Sequence, residues 1–423
     1  MMNPIAPRHS YCSLPLILPA LLLAVTAVGL ELGIFLRTGH FVYPLDDPYI
    51  HLAMARHFAE SGIFGVSLAG FSASSSSPLW TLLVAFNFWI FGNHEIIPFL
   101  LNLLAAVPLA WRLTRHAARH WHSEWTAAAA TSFFLFALPL PALISLGMEH
   151  TLHILLVLLL VSRIGHPVPE STRFSTYFHL FFLGFAATLT RYETGFVTVP
   201  LLVILALRRD WTAAATLAAA CALPVVMIGG INAGLGWHFF PNSVLMKSVL
   251  GSSGWEQVDQ IAKRFYGQLL GTPHLLLPFA FSLGAGLYTL RGDPDFSSPE
   301  TIRNFVFPVA LMLHCSLALI GWFYRYEAYL LALGWMALVP FIPTPAGWYR
   351  EIWTTAAPRF NRFVIHAALV GMLLLGLTPF WDHLQSIRRI VPGAENIYHQ
   401  QYQMGLFLRA CYNGATVAAN DIG

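Results

Sequence analysis

Two adjacent carboxylates, Asp46 and Asp47, directly follow a long apolar segment of the chain. Asp47 and Pro48 make a good helix start, since aspartate caps the first backbone amides and proline suits the first helical position. Asp46 then precedes a helix N-terminus, where the helix dipole favours its ionised form. An ionised carboxylate at a membrane surface can act as a general base or bind a cation. The simpler alternative is that both aspartates only cap the helix.

Three short turns farther along the chain also carry charge. They are "GMEH" (147–150), "RYETG" (191–195) and "FYRYE" (323–327), and each contains a carboxylate. Two of them also contain an arginine, Arg191 or Arg325, whose planar guanidinium suits oxyanions. These turns therefore offer the residue types that a charged substrate would need.

Each of these charged residues also has a purely structural interpretation. Arg191 could pair with Glu193 in its own turn, and Arg325 could be an interfacial anchor between tyrosines. Lys247 follows Pro-Asn-Ser in a longer loop and could extend from the membrane surface into water. Both interpretations of each residue stay open at this stage.

A metal site is a further hypothesis. Glu149 and His153 are four residues apart, so they share one helix face and could join Asp46 around a divalent ion. The alternative is that Glu149 simply ends a helix at the interface. The 18 histidines are scattered along the chain and form no other metal-ligand spacing.

The amino-acid composition indicates the class of protein in which these residues lie. Only 10% of the 423 residues are charged and 57% are hydrophobic, whereas soluble domains carry about 25% charge. Apolar runs near 20 residues recur and can each cross a hydrocarbon core of about 30 Å. A net charge of +3 without a basic, aromatic-rich patch argues against nucleic acid. Four scattered cysteines suggest neither a metal site nor a disulfide framework.

The apolar runs predict an all-α polytopic membrane protein with about 11 transmembrane helices. The run 78–92 is too short to span, and placing it at the outer surface puts most basic turns in the cytoplasm. The predicted N-terminus is then cytoplasmic, and the outer loop 37–95 carries surface helices at 47–61 and 78–92. Residues 1–380 form the membrane module, and 381–423 are expected to start an outer domain that is cut short. The predicted spans are 14–36, 96–111, 125–146, 151–163, 175–190, 194–207, 211–235, 274–290, 304–322, 328–345 and 363–380.

The helix at 47–61 is expected to be amphipathic. Helical spacing places one set of residues on a single face and His51, Arg56 and Glu60 elsewhere. The residues of that face are Ile50, Ala53, Met54, His57 and Phe58.

The motifs on this predicted face resemble one enzyme family. "DDPYIHLAMARHFAESG" followed by "GFSASSSSPLW" resembles the first outer loop of GT-C-fold, polyprenyl-phosphate-dependent glycosyltransferases, with the arabinofuranosyltransferase-like and mannosyltransferase-like branches nearest. The chain departs from the family where "GFSASSS" replaces Gly-Tyr-Thr and where an upstream Tyr-Asn is absent. Five later segments of the chain also resemble motifs of the family, in the same order. They are "GMEHTL", "LTRYETG", "FPNSVLMKS", "YRYEAYLLAL" and "VAANDIG".

The resemblance implies a GT-C-like bundle in the inner membrane. Its members transfer one sugar from a polyprenyl-phosphate donor to an acceptor hydroxyl on a glycan, lipid or protein. Transfer takes place on the non-cytoplasmic side with inversion. Asp46 would be the general base, and Asp47 would support it or bind a divalent cation (Mg, Mn or Ca). The donor phosphate would be bound by Arg191, Lys247 and Arg325, and Arg56 would contact the donor or orient Asp46.

Two other function classes remain in competition. A transporter or flippase of a lipid-linked or small polar substrate would explain intramembrane polar residues and broken helices, but the sequence shows no repeated halves. A nonenzymatic membrane scaffold would leave the two aspartates as a helix cap.

Overall fold

The computed structural model describes residues 13–165, 170–247, 255–291, 295–321, 323–342, 380–412 and 415. These residues are mainly helical and contain no β-strand. The helices are α1 (Leu14–Thr38), α2 (Asp47–Ser61), α3 (Pro78–Phe91), α4 (Ile97–Trp121), α5 (Glu124–Ala137), α6 (Leu140–Ser145), α7 (His150–Ile164), α8 (Arg173–Thr190), α9 (Thr194–Leu207), α10 (Trp211–Gly234), α11 (Asn242–Lys247), α12 (Trp255–Gly271), α13 (Pro273–Leu290), α14 (Pro299–Leu317) and α15 (Ala328–Leu338), followed by helices at 380–388, Ile390–Ile397 and Gln403–Cys411.

Several of these helices suit a bilayer. Within the described ranges, α1, α4 and α10 are long and apolar enough to cross a membrane. A fourth candidate is the pair Trp255–Gly271 and His274–Thr289, bent by 98° at its break, if it is counted as one span. Helices α3, α7, α9 and α15 are apolar but shorter. The helical membrane fold is therefore confirmed, whereas the predicted number of 11 spans is not.

Prolines break two of the predicted spans. The run 125–146 divides into α5 and α6 at Leu138 and Pro139, and α15 ends at Leu338 in a 3₁₀ turn that contains Pro340. Proline lacks the backbone N–H that a continuing helix requires. Most of the predicted span 363–380 lies outside the described residues.

The buried core is built where the long helices meet. Helix α1 packs on α4, α5 and α6, and α7 packs on α4, α8 and α15. Leu109, Leu143, Val157 and Leu330 have no exposed surface. Large apolar side chains such as Val25 and Val226 instead face outward, as expected of surfaces that contact lipid.

The charged turns at 147–150, 191–195 and 323–327 lie together at one end of the helical bundle. We call this the Asp46 end. The beginnings of α4, α7 and α9 and the end of α14 lie here, with α2 and α3 beside them. The buried Tyr43 ties these parts together, since its Oη donates to the Glu95 carbonyl at 2.7 Å and accepts from the Phe99 N–H at 3.2 Å. Helix α4 spans about 37 Å and runs from this end to the opposite end, near Trp121.

Candidate active site

The Asp46–Asp47 turn places two carboxylates at the start of α2. Asp46 is the N-cap, and its side chain accepts from the Asp47 N–H at 3.0 Å. The sequence had predicted Asp47 as the cap, which is wrong by one residue. Because Asp46 caps the helix, the Asp47 carboxylate is directed to a different partner.

That partner is Arg325, which follows Asp47 by 278 residues. Its side chain is 3% exposed, and its Nη2 donates to Asp47 Oδ2. The same nitrogen donates to the Tyr326 hydroxyl at 3.0 Å, and Nη1 lies 2.8 Å from the Met148 sulfur. Arg325 Nε is buried with no hydrogen-bond partner among the described residues. One N–H of this arginine is therefore left for another acceptor.

The turn that carries Arg325 has a strained backbone. Phe323 and Tyr324 adopt φ values of 64° and 57°, in the left-handed region that bulky residues avoid. The buried Glu327 holds the turn, since its carboxylate accepts from the Gly321 N–H at 2.9 Å. Strain of this kind persists only where surrounding contacts enforce it, and it concentrates at functional sites.

A second buried arginine lies on the other side of Tyr326. The guanidinium of Arg191 is 5.6 Å from the Tyr326 ring centroid, and that of Arg325 is 4.9 Å from it. Arg191 donates to Glu149 and Glu193, each at 2.5 Å. The predicted pairing of Arg191 with Glu193 is therefore present, and Glu149 is a second partner.

The ion pairs of this turn determine the protonation states of Arg191 and Glu193. Burial alone would lower the pKa of Arg191, but the carboxylates of Glu193 and Glu149 raise it above its ordinary value. Burial would likewise raise the pKa of Glu193, but the Arg191 guanidinium lowers it to about 2. Both groups are therefore charged at neutral pH.

Helix α2 has a second attachment at His51. The buried His51 Nδ1 lies 2.9 Å from the Thr81 hydroxyl of α3, and Nε2 lies 3.8 Å from Glu149. Burial lowers the pKa of His51, although Glu149 opposes the shift. The predicted apolar face of α2 was partly wrong, because His51 is buried and Phe58 is 38% exposed. Polar partners on α3 and α7 make burial of the histidine favourable.

These contacts join eight residues from four parts of the chain, which we call the two-arginine cluster. Its four carboxylates outnumber its two arginines, so the described cluster has an excess of negative charge. That excess leaves room for a cation or for a positively charged group of a substrate. The members are Asp46, Asp47, His51, Glu149, Arg191, Glu193, Arg325 and Tyr326.

The predicted metal ligands are not brought together. Glu149 contacts Arg191, whereas His153 Nε2 lies 3.0 Å from the Thr194 hydroxyl. The part of the chain that the structure describes holds no group of three His, Cys, Asp or Glu residues able to bind a metal ion. The trio Asp46, Glu149 and His153 therefore does not form a site in this structure.

Arg56 is not part of the cluster, and the structure describes only the backbone of Lys247. Arg56 is exposed and pairs with Glu60, one turn farther along α2, at 3.1 Å. Lys247 is the last residue of α11, and its side chain lies outside the described residues. The backbone before it is tied to the serine-rich loop, since the Asn242 N–H donates to the Ala73 carbonyl at 3.2 Å.

Three contributors were missed by reasoning from sequence. Tyr326 lies between two guanidiniums, Met148 contacts Arg325, and His51 joins α2 to α7. Only His51 had a usable signal, because its spacing of four residues from Asp47 puts both on one helix face. The other two act through contacts between distant parts of the chain.

Comparisons with known proteins identify a similar fold. No family model and no curated protein matches the chain. The chain is similar to the crystal structure of ArnT from Cupriavidus metallidurans bound to undecaprenyl phosphate, with a TM-score of 0.57 and 16% sequence identity. The similarity covers 95% of this chain and 83% of that chain. The chain therefore has a helical membrane fold similar to that of ArnT, in agreement with the GT-C-like architecture that its outer-loop motifs implied.

Proposed function

We propose that this chain is an integral membrane glycosyltransferase that moves one sugar from a polyprenyl-phosphate donor to an acceptor hydroxyl. The observation that carries the proposal is the Asp46 carboxylate beside the ion pair of Asp47 with the buried Arg325, shortly after the end of α1. The similar ArnT fold was solved with undecaprenyl phosphate bound, which supports a donor of this lipid class. We also propose that the chain is nearest to the arabinofuranosyltransferase-like or mannosyltransferase-like branch of that family.

The proposed reaction is a single displacement with inversion. Asp46 takes the proton of the acceptor hydroxyl as that oxygen attacks the anomeric carbon. The bond between the anomeric carbon and the phosphate oxygen breaks, and the polyprenyl phosphate leaves with the bonding electrons. Asp47 keeps Arg325 in place, and Arg325 Nε–H donates to the phosphate as its charge develops.

Further positive charge would assist the donor phosphate. Arg191 supports the site through the Tyr326 ring, while its terminal nitrogens are held by Glu149 and Glu193. Because carboxylates exceed arginines in the cluster, we propose that Lys247 or a divalent cation (Mg, Mn or Ca) offsets the phosphate charge. Arg56 would contact the donor farther from the reacting carbon.

The proposed location is the inner membrane, with the N-terminus in the cytoplasm and the Asp46 end outside. The charge distribution supports this orientation, because arginines gather at the opposite end of α4. The acceptor would reach Asp46 from water, and the lipid donor would reach it from the bilayer.

The test compares wild type with Asp46→Asn in lipid, using a panel of radiolabelled polyprenyl-phosphate sugars. Wild type should move label to an acceptor or to water, and Asp46→Asn should lose at least about 100-fold in rate. Glu395→Gln is the control, since it also removes a carboxylate at the Asp46 end but lies in an exposed pair with Arg37. Near-wild-type transfer by Asp46→Asn would refute its role as the base. Counterflow of label without a new glycosidic bond would favour a transporter instead.

A further inference from the structure

A second charged cavity lies at the opposite end of the bundle from Asp46. It has a volume of about 340 Å³ and lies between α4, α7 and α14. Helices α4 and α7 begin near the candidate active site and end at this cavity, whereas α14 begins at the cavity. The two sites are therefore separated by the length of α4, and the proposed glycosyl transfer does not use this one.

The cavity wall is strongly basic. Arg112, Arg115 and Arg119 line it from α4, where spacings of three and four residues place them on one helix face. Arg303 lines it from α14, and Glu300 is the one carboxylate among the described lining residues. The lining thus carries four guanidiniums against one carboxylate.

Arg303 is built into the wall rather than lying on the surface. It is 7% exposed, and its Nη2 donates to Glu300 at 3.0 Å. Its Nε is buried and has no partner among the described residues, and the same is true of Arg112 Nε. A buried guanidinium with an unused N–H is costly unless an acceptor satisfies it. Both arginines also line the cavity, so an anion bound there would give their guanidiniums an acceptor.

The chemistry of the wall indicates which anion. Arginine forks match the oxygens of a phosphate group and bind them with paired, charge-assisted hydrogen bonds. Trp111 lines the same cavity, with the Arg115 guanidinium 5.0 Å from its ring centroid, and tryptophan favours the membrane–water interface. Basic pockets between membrane helices are suited to phosphate headgroups.

We propose that this cavity binds a phosphate group, supplied by an anionic lipid headgroup or by a soluble phosphate. The ligand accepts hydrogen bonds from Arg303 and Arg112, and the remaining arginines of the wall attract its charge. The site is independent of the glycosyl transfer proposed above, so either proposal can fail without the other.

The test uses the full chain, purified in neutral detergent and titrated in native mass spectrometry. The lipid probes are phosphatidylglycerol, which is anionic, and phosphatidylcholine, which has no net charge. Wild type should prefer phosphatidylglycerol, and Arg303→Gln and Arg112→Gln should each weaken that binding about tenfold. Arg37→Gln, which removes an exposed arginine at the Asp46 end, should bind as wild type does.

A second arm separates the two sources of phosphate. Inorganic phosphate should raise the melting temperature of wild type, relative to chloride at equal ionic strength, if a soluble phosphate fits the cavity. Binding of phosphatidylglycerol without this effect would identify the lipid headgroup as the source. Equal binding of both probes by wild type and by the Arg303, Arg112 and Arg37 variants would overturn the proposal. Arg112→Gln and Arg303→Lys keep the test decisive if Arg303→Gln does not fold.

Discussion

At the residue scale, the two adjacent aspartates have different surroundings. Asp46 caps α2 through the Asp47 N–H, and Asp47 forms an ion pair with the buried Arg325. Arg325 in turn shares the Tyr326 ring with Arg191. A change at one of these positions is therefore expected to alter groups that lie far away in sequence.

Arg325 gives the sharpest prediction at this scale. Arg325→Gln leaves Asp47, whose side chain is 35% exposed, without its cation, so we expect about 10²–10³-fold slower transfer and about 2 kcal/mol less unfolding free energy. Arg325→Lys keeps the charge but loses the fork that reaches Asp47, Tyr326 and Met148 together, so its effect should be intermediate.

The measurement is unfolding in detergent alongside the transfer assay. Arg37→Gln is the matched control, because an exposed ion pair contributes at most about 1 kcal/mol. An Arg325→Gln protein as stable and active as the Arg37→Gln protein would show that the ion pair between Asp47 and Arg325 is dispensable.

Glu327 predicts a dependence of stability on pH. Burial raises the pKa of Glu327 to about 7, although the Gly321 N–H opposes the shift. The folded protein thus holds this proton more tightly than the unfolded chain, so stability is highest below about pH 4.5 and falls as pH rises through about 7. Glu327→Gln should match wild type near about pH 4 and exceed it by on the order of 3 kcal/mol near about pH 8.5.

Melting temperatures across this pH range check the expectation. The exposed Glu256 supplies the control, since Glu256→Gln should follow the wild-type curve at every pH. Parallel curves for wild type and Glu327→Gln would contradict the assigned protonation.

At the element scale, α2 is held by contacts at both its start and its first turn. Asp47 joins it to the 323–327 turn, and His51 joins it to α3 and to Glu149 at the start of α7. Gly147 sets the direction of the chain into α7, with a φ of 68°. An added Cβ there would lie 2.3 Å from the Tyr43 ring.

Gly147→Ala should therefore disturb the site without touching a charged residue. We expect about 2 kcal/mol or more of destabilisation, because the Cβ clashes with Tyr43 and the left-handed backbone disfavours alanine. Transfer activity should fall as Glu149 moves away from Arg191. The comparison is Gly29→Ala in α1, where the Cβ has open space and alanine favours the helix by about 1 kcal/mol. Similar melting temperatures for the two variants would contradict this account.

The helices were more predictable than the contacts between them. Apolar runs gave the positions of α1, α7, α9 and α10 to within two residues, and Asp-Pro and Ser-Pro marked the starts of α2 and α3. The end of α4 was predicted wrongly, because the helix continues beyond the apolar run 96–111 through a basic segment to Trp121. The buried side of α2 was less predictable, because His51 depends on Thr81 and Glu149 for its polar partners. Periodicity identifies an apolar face, but it does not report partners that arrive from other helices.

At the scale of the whole molecule, charge divides the bundle into two ends. The two-arginine cluster lies at one end and has more carboxylates than arginines. The basic cavity lined by Arg112, Arg115, Arg119 and Arg303 lies at the other end and has more arginines than carboxylates. The order of the motifs allowed the sequence to place Asp46, Arg191 and Arg325 on one face. The pairing of Asp47 with Arg325 could not be predicted, because one sequence without relatives carries no signal for a contact between such distant residues.

The orientation of these ends is testable by labelling. In a chain whose four cysteines are replaced, Ser67→Cys should react in intact cells with a maleimide that does not cross membranes. His122→Cys, at the end of α4, should react only after the membrane is opened. Both residues are exposed, so accessibility within the protein does not confound the result. The reverse pattern would place the Asp46 end in the cytoplasm.

The ion pair between Asp47 and Arg325 also has a consequence for biosynthesis. Its partners are 278 residues apart, and ribosomes add roughly 5–20 residues per second. Asp47 is therefore synthesised roughly 15 to 55 s before Arg325. Until then the acidic start of α2 lacks this partner, and the two-arginine cluster is completed only when the 323–327 turn has been synthesised.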